Sequence, residues 1–170
     1  MGDIMGRIDK NVDVIWVGRG DKRDNELLEK LSHNDKRFTF TGCEFGKMKN
    51  FYDIADIVVI PTIASEGTSL SCIEAMACGC AVISTNIGGL CDIVIDEFNG
   101  LLVNPNVEEL SCAINRLIKD VPLRNRLVHN AVDFVKVFRK DNWINRWKNI
   151  LSDIGWTCMA ASEPSIGVVN

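Results

Sequence analysis

The sequence predicts an α/β domain of three layers, a mainly parallel sheet with helices on both faces. Short apolar runs near 12–17, 37–40, 57–60, 81–84 and 100–103 alternate with amphipathic segments of helical length. That order joins parallel strands through crossover helices. A run such as Asp56-Ile57-Val58-Val59-Ile60-Pro61 reads as a buried strand ended by proline. The 170 residues, 46% of them hydrophobic, fit one globular domain with a real core and not a second full one.

Each helix has its own signals. Helical patterns are expected near 24–32, 46–54, 69–78, 107–119, 122–137 and 142–152, with a short turn at Leu90 to Ile93. Gly79 stops the helix that begins near Ser69. Asn106, with Glu109 three residues on, makes a capping-box-like start; Pro122 suits a first helical turn, and Asp141 is expected to cap the last helix. In that helix Trp143, Ile144, Trp147, Ile150, Leu151 and Ile154 form one apolar stripe. The domain is expected over 1–154, and 155–170, without periodicity, as a loosely ordered tail.

Composition narrows the function classes. A net charge of -4 argues against an extended nucleic-acid surface, which needs phosphate-neutralising cations. Basic residues gather late, from Arg116 to Lys148, as solvated helix faces or as a contact to anionic membrane. The seven cysteines are odd in number and lie mostly in apolar segments, which fits free thiols in a reducing cytoplasm. Cys78-Gly79-Cys80 has no matching second pair and there are only two histidines, so no metal site is expected. Met1 to Lys10 lacks the apolar core of a signal peptide, and no run approaches bilayer length.

The chemistry concentrates in Pro61 to Gly79. Glu66 and Glu74 stand with seven residues between them, Glu66 in the loop at the carboxyl end of a strand and Glu74 on the following helix. At about 1.5 Å of rise per residue, Glu74 lies roughly 7 to 8 Å along the axis from Ser69, so two carboxylates can address the ends of one extended ligand. Between them, the backbone N–H groups of Gly67, Thr68, Ser69 and Leu70 stand at a helix start, which suits a phosphate. Gly18-Arg19-Gly20 after a strand is a weak dinucleotide signal, because Arg23 occupies the third glycine position. Gly18 makes a tight turn or lets a ligand approach the backbone. Thr41-Gly42 is turn chemistry on its residues alone.

This pattern resembles the E-x7-E signature of the C-terminal, nucleotide-sugar-binding domain of retaining glycosyltransferases of the GT-B fold, family 4. The resemblance runs over about 11–152, through Val14 to Gly20, Phe38 to Gly42, Met48 to Pro61, Glu66 to Thr85, Gly88-Gly89-Leu90 and Phe98 to Pro105. It implies a Rossmann-like domain, one half of a GT-B fold. It implies that Glu66, the catalytic candidate, contacts hydroxyls of the donor sugar, while Gly67, Thr68, Ser69 and Leu70 hold the sugar and diphosphate. Glu74 would bind the ribose, and Cys43 and Glu44, in the loop after Gly42, would border the base. No cofactor or metal is implied beyond the nucleoside-diphosphate sugar itself.

Two departures matter. The family often has Gly-Phe-Gly where this chain has Gly67-Thr68-Ser69, so the backbone donors remain but the packing around the sugar differs. The family's diphosphate-binding Arg and Lys have no match, because Gly6-Arg7-Ile8-Asp9-Lys10 runs into Val12 with no room for the intervening helix. The N-terminal acceptor half is also absent from these residues. The expectation is the donor half of a cytoplasmic transferase acting on a glycan or lipid-linked acceptor in polysaccharide biosynthesis. The full enzyme is also a candidate for peripheral association with the inner membrane face. The alternatives are a nucleotide-sugar-binding or assembly module without transferase activity and, ranked lower, a GT-B-like epimerase or phosphorylase relative.

Overall fold

The computed structural model describes residues 4, 6–18, 26 and 35–156. The helix expected near 24–32 lies outside the described residues except for Glu26, as do Arg19, Gly20, Arg23 and the tail from 157 onward. The chain divides into two compact units after Val135.

Among the described residues the first unit contains five strands: β1 (Val14–Val17), β2 (Phe38–Thr41), β3 (Ile57–Ile60), β4 (Ala81–Thr85) and β5 (Leu101–Val103). All the pairings between them are parallel, in two sheets. β1 pairs with β2, Val14 opposite Phe38; β4 lies between β3 and β5, with Ile57 opposite Ala81 and Ile83 opposite Leu101. The fold class is the mixed α/β arrangement with parallel sheets that the alternating runs predict.

Among the described residues the helices of this unit with defined bounds are α1 (Lys49–Tyr52), α2 (Leu70–Ala77), α3 (Leu90–Ile93), α4 (Val107–Lys119) and α5 (Val121–Phe134), and Glu26 is helical as well. β4 shows why they cover both faces of their sheet, since every one of its residues is buried. Val82 joins a core with Tyr52, Cys72, Ala75, Met76, Leu90 and Ile93, whereas Ala81 and Ile83 join Leu101, Leu110, Leu117, Leu123 and Leu127. The two-residue alternation of a strand sends neighbours to opposite faces, so α2 and α3 pack on one side and α4 on the other. α5 serves both, with Ala131 in the first cluster and Leu127 in the second. Complete burial of Met76, Ile83, Leu117 and Leu127 stabilises the unit by about 1.5 to 3 kcal/mol each.

Most boundaries follow from local chemistry. Asn106 Oδ1 accepts from the Glu109 N–H at 2.8 Å, and Glu109 accepts in return from Asn104 and Asn106, so the capping pair forms. Pro122 lies in the first turn of α5, whose cap is Asp120 accepting from the Leu123 N–H at 2.9 Å. Gly79, at φ +83°, ends α2 in the left-handed region that glycine enters without penalty. The same freedom shortens α1: Gly46 at φ +78° cannot continue a right-handed helix, so the pattern expected over 46–54 forms one only at Lys49–Tyr52. The helix expected to reach 137 ends at Phe134 and tightens into a 3₁₀ turn over Val135–Phe138.

The second unit carries α6 (Lys140–Asp153), which has no buried residue. Its cap position is Arg139 in extended conformation, so Asp141 does not cap the helix but lies in its first turn, where a negative charge favours the helix dipole. Trp143 and Trp147, one turn apart, place their ring centroids 6.0 Å apart. Among the described residues no helix is long and apolar enough to cross a membrane.

Candidate active site

β3 ends at Ile60, and Pro61 lacks the N–H that would extend the ladder, so the chain leaves the sheet as a loop leading to α2. Glu66 lies in that loop, partly buried. Its carboxylate Oε2 accepts from the Thr62 hydroxyl at 3.0 Å. The Thr62 carbonyl in turn accepts from the hydroxyl of Thr85, at the end of β4, at 2.6 Å. Glu66 also acts on α2: burial pushes the Cys72 thiol up to about 12, and the negative charge of Glu66 adds to the effect.

The loop backbone is held from the other side by Gly88-Gly89. The Gly89 N–H donates to the Glu66 carbonyl at 3.0 Å. Gly88, at φ +54°, comes so close that a Cβ there would fall 2.2 Å from the Glu66 carbonyl oxygen, and one on Gly89 would fall 2.4 Å from that of Gly67. Only glycine admits such an approach.

Ser69 is the buried N-cap of α2, with no hydrogen bond from its side chain to the helix. The first turn closes with the Ile73 N–H on the Ser69 carbonyl at 3.3 Å. The N–H groups from Gly67 to Cys72 find no backbone acceptor among the described residues. Gly67, Thr68 and Leu70 are exposed, so a ligand can reach these donors. Glu74 is exposed one turn further along, and its charge is felt at Tyr52, whose hydroxyl is pushed up chiefly by burial. The loop and α2 thus present a carboxylate, a run of N–H donors and a second carboxylate in chain order.

The remaining expected residues follow the other sheet. The Gly18 N–H donates to the Thr41 carbonyl at 3.1 Å, so Gly18 and Gly42 close the carboxyl ends of β1 and β2. Space around Gly42 is open, and exposed Glu44 and partly buried Cys43 follow it. Every expected residue therefore follows the carboxyl end of a parallel strand, the edge at which open α/β sheets bind ligands. The structure gathers Glu66 to Glu74 at β3 and Gly18, Gly42, Cys43 and Glu44 at β1–β2, and among the described residues no strand pairing joins the two sheets. Arg7 is turned elsewhere, with its Nη1 3.1 Å from Glu108 at the start of α4. Among the described residues there is no group of three or more His, Cys, Asp or Glu that could hold a metal.

Sequence reasoning gave no role to Thr62, Thr85, Gly88 or Gly89. The paired glycines were the one available signal, and they report a close approach without saying to what.

Comparisons with known proteins fit this arrangement. Residues 3–134 match the family model described as glycosyl transferases group 1. An uncharacterized glycosyltransferase of Methanocaldococcus jannaschii is 34% identical over 139 residues, 79% of this chain and 35% of its own length. The lipopolysaccharide 1,2-N-acetylglucosaminetransferase of Salmonella typhimurium is 35% identical over 101 residues, 58% of this chain and 26% of its own. The chain spans about a third of the length of the first curated relatives it matches. Among solved structures, Anabaena HepE in complex with UDP superposes with a TM-score of 0.79 at 24% identity, over 89% of this chain and 44% of that one. Sucrose-phosphate synthase of Thermosynechococcus elongatus gives 0.77 at 28% identity, over 91% and 41%. The C-terminal domain of a group 1 glycosyl transferase of Francisella tularensis gives 0.66 at 30%, over 74% and 68%. The chain belongs to the glycosyl transferases group 1 family and has the Rossmann-like fold of the C-terminal half of a GT-B enzyme.

Proposed function

We propose that the chain is the donor-binding half of a retaining glycosyltransferase, which moves a sugar from a nucleoside-diphosphate sugar to a glycan or lipid-linked acceptor. The observation that carries this reading is the anchored Glu66 carboxylate beside the N–H run that opens α2. Departure of a nucleoside diphosphate builds negative charge on phosphate, which a helix start stabilises with N–H donors and its positive end. Glu66 orients the donor sugar as positive charge develops at its reacting carbon, and exposed Glu74 takes the ribose hydroxyls. Gly18, Gly42, Cys43 and Glu44 border the nucleotide. HepE supports the choice of donor, since it has been crystallised with both UDP and UDP-glucose.

With helix-start donors on the diphosphate, no metal is needed, and the enzyme would work in the cytoplasm with a second domain that supplies the acceptor. The test is calorimetric titration with UDP, GDP, ADP and their glucose derivatives, with and without chelator. One nucleotide pair should bind, with chelator changing affinity by less than about twofold, a few tenths of a kcal/mol. Failure of every pair would refute donor binding, and a strict need for Mg²⁺ would refute the metal-free diphosphate site.

A binding module without transferase activity is the second reading, favoured by the pairing of Arg7 with Glu108. Transfer by the chain joined to an acceptor domain decides between the two.

A further inference from the structure

We propose that Thr62 and Thr85 are positioning residues for Glu66, a two-step relay that fixes its carboxylate before the donor sugar arrives. The inference rests on the donor-binding reading above and adds residues that reading does not use.

A carboxylate on a loop turns freely unless something holds it, and every rotamer it samples lowers the share of molecules ready to bind. Here Thr62 donates to Oε2 at 3.0 Å, which leaves Oε1 directed to no partner among the described residues. Thr62 belongs to the same loop, so it can position Glu66 only if it is itself anchored. Thr85 supplies the anchor, donating to the Thr62 carbonyl at 2.6 Å from the end of β4, where it is 1% exposed. β4 is buried throughout and paired on both sides, with β3 and with β5, so Thr85 is held within the sheet. Gly88 and Gly89 meanwhile fix the Glu66 backbone through the N–H bond to its carbonyl and contacts too close for any Cβ. Side chain and backbone are thus tied by separate bonds to the segment that ends β4 and turns into α3, the arrangement a pre-organised binding group needs.

The relay predicts a division between ligands. A sugar-bearing donor reaches Glu66, whereas the bare nucleoside diphosphate does not. Thr62→Val, nearly isosteric but without the hydroxyl, should weaken UDP-glucose by about threefold to thirtyfold and leave UDP within about twofold. Thr62→Ser should restore UDP-glucose binding. Thr62→Val added to Glu66→Ala should cost nothing further, because a residue that acts through Glu66 has no effect once the carboxylate is gone. Thr85→Val should reproduce the Thr62→Val pattern more weakly. GDP and ADP with their glucose derivatives are run in parallel, so that the nucleotide preference does not decide the result.

Equal losses for donor and bare diphosphate, no loss for either, or an additive loss on the Glu66→Ala background would overturn the relay. If the unaltered chain binds none of the three sugar nucleotides, the donor-binding reading falls and the relay with it. If it binds one and Thr62→Val leaves that binding unchanged, the relay alone falls.

Discussion

Gly89 donates its backbone N–H to the carbonyl of Glu66 at 3.0 Å, across 22 intervening residues, and so joins the turn after β4 to the loop after β3. A Cβ on Gly89 would lie 2.4 Å from the Gly67 carbonyl oxygen, well inside contact distance and against backbone, not a flexible side chain. Gly89→Ala must therefore displace the loop or break this bond. We expect it to cost about 1 to 3 kcal/mol of stability and to abolish preference for a sugar nucleotide over the bare diphosphate. Urea unfolding and calorimetry on the same sample check both, and an unchanged unfolding midpoint would show that the close approach is relaxed at no cost.

Glu74 is exposed on α2, so its loss should leave the fold intact. If it bonds a ribose diol, Glu74→Ala should weaken the nucleotide by about 1.5 to 3 kcal/mol, roughly tenfold to a hundredfold. Glu66→Ala should instead weaken the sugar nucleotide more than the bare diphosphate. Unchanged affinity in the first variant, with circular dichroism also unchanged, would remove Glu74 from the site.

What the sequence made legible is local. Pro61 ends β3 and Gly79 ends α2 through their own backbone restrictions, so the two bracket the loop and helix between them, and Asn106 with Glu109 announces α4 by a bond three residues long. The order of Glu66, the N–H run and Glu74 follows from that bracket. The contacts that hold the site are not local. Gly88 and Gly89 meet residues 66 and 67 only once the sheet is assembled, and Thr85 reaches Thr62 only across the β3–β4 pairing. Asn99 shows the same limit. Asn99-Gly100 reads as a turn signal, yet Asn99 is fully buried, donates to the Ile93 carbonyl at 3.0 Å and accepts from the Ile95 N–H at 2.7 Å. Dipeptide chemistry names the turn but not the burial.

Two buried thiols give the fold a pH dependence. Burial pushes Cys72 up to about 12 and Cys80 up to about 11, from an ordinary value of 9.0, with neighbouring negative charge adding in both cases. Above pH 9 the unfolded chain releases these protons while the folded chain keeps them, so stability is full below about pH 9 and is lost as pH rises toward 11 to 12. Between pH 8 and 10 each thiol should cost on the order of 1 kcal/mol. Denaturant midpoints of the native chain and of Cys72→Ala with Cys80→Ala measure it. Identical pH dependence in the two proteins would show that other groups cause the loss.

The last expectation concerns activity. Transfer requires donor and acceptor held in line, together with stabilisation of the departing diphosphate. The described residues supply the Glu66 loop and the α2 donors, while Arg7 pairs with Glu108 at the start of α4. α6 has no buried residue, and its Trp143 is 60% exposed and Trp147 45%, an apolar stripe suited to a partner domain. Residues 1–170 alone should therefore bind donor and transfer no sugar, with weak donor hydrolysis at most. An acceptor domain of this family, fused ahead of residue 1 or added as a separate chain, should recover transfer and shift the tryptophan emission to shorter wavelength. A radiolabelled-donor assay with and without that domain gives the answer. Trp143→Ala with Trp147→Ala should weaken assembly but not donor affinity. Robust turnover by residues 1–170 alone would place the acceptor site within this chain and remove the need for a second domain.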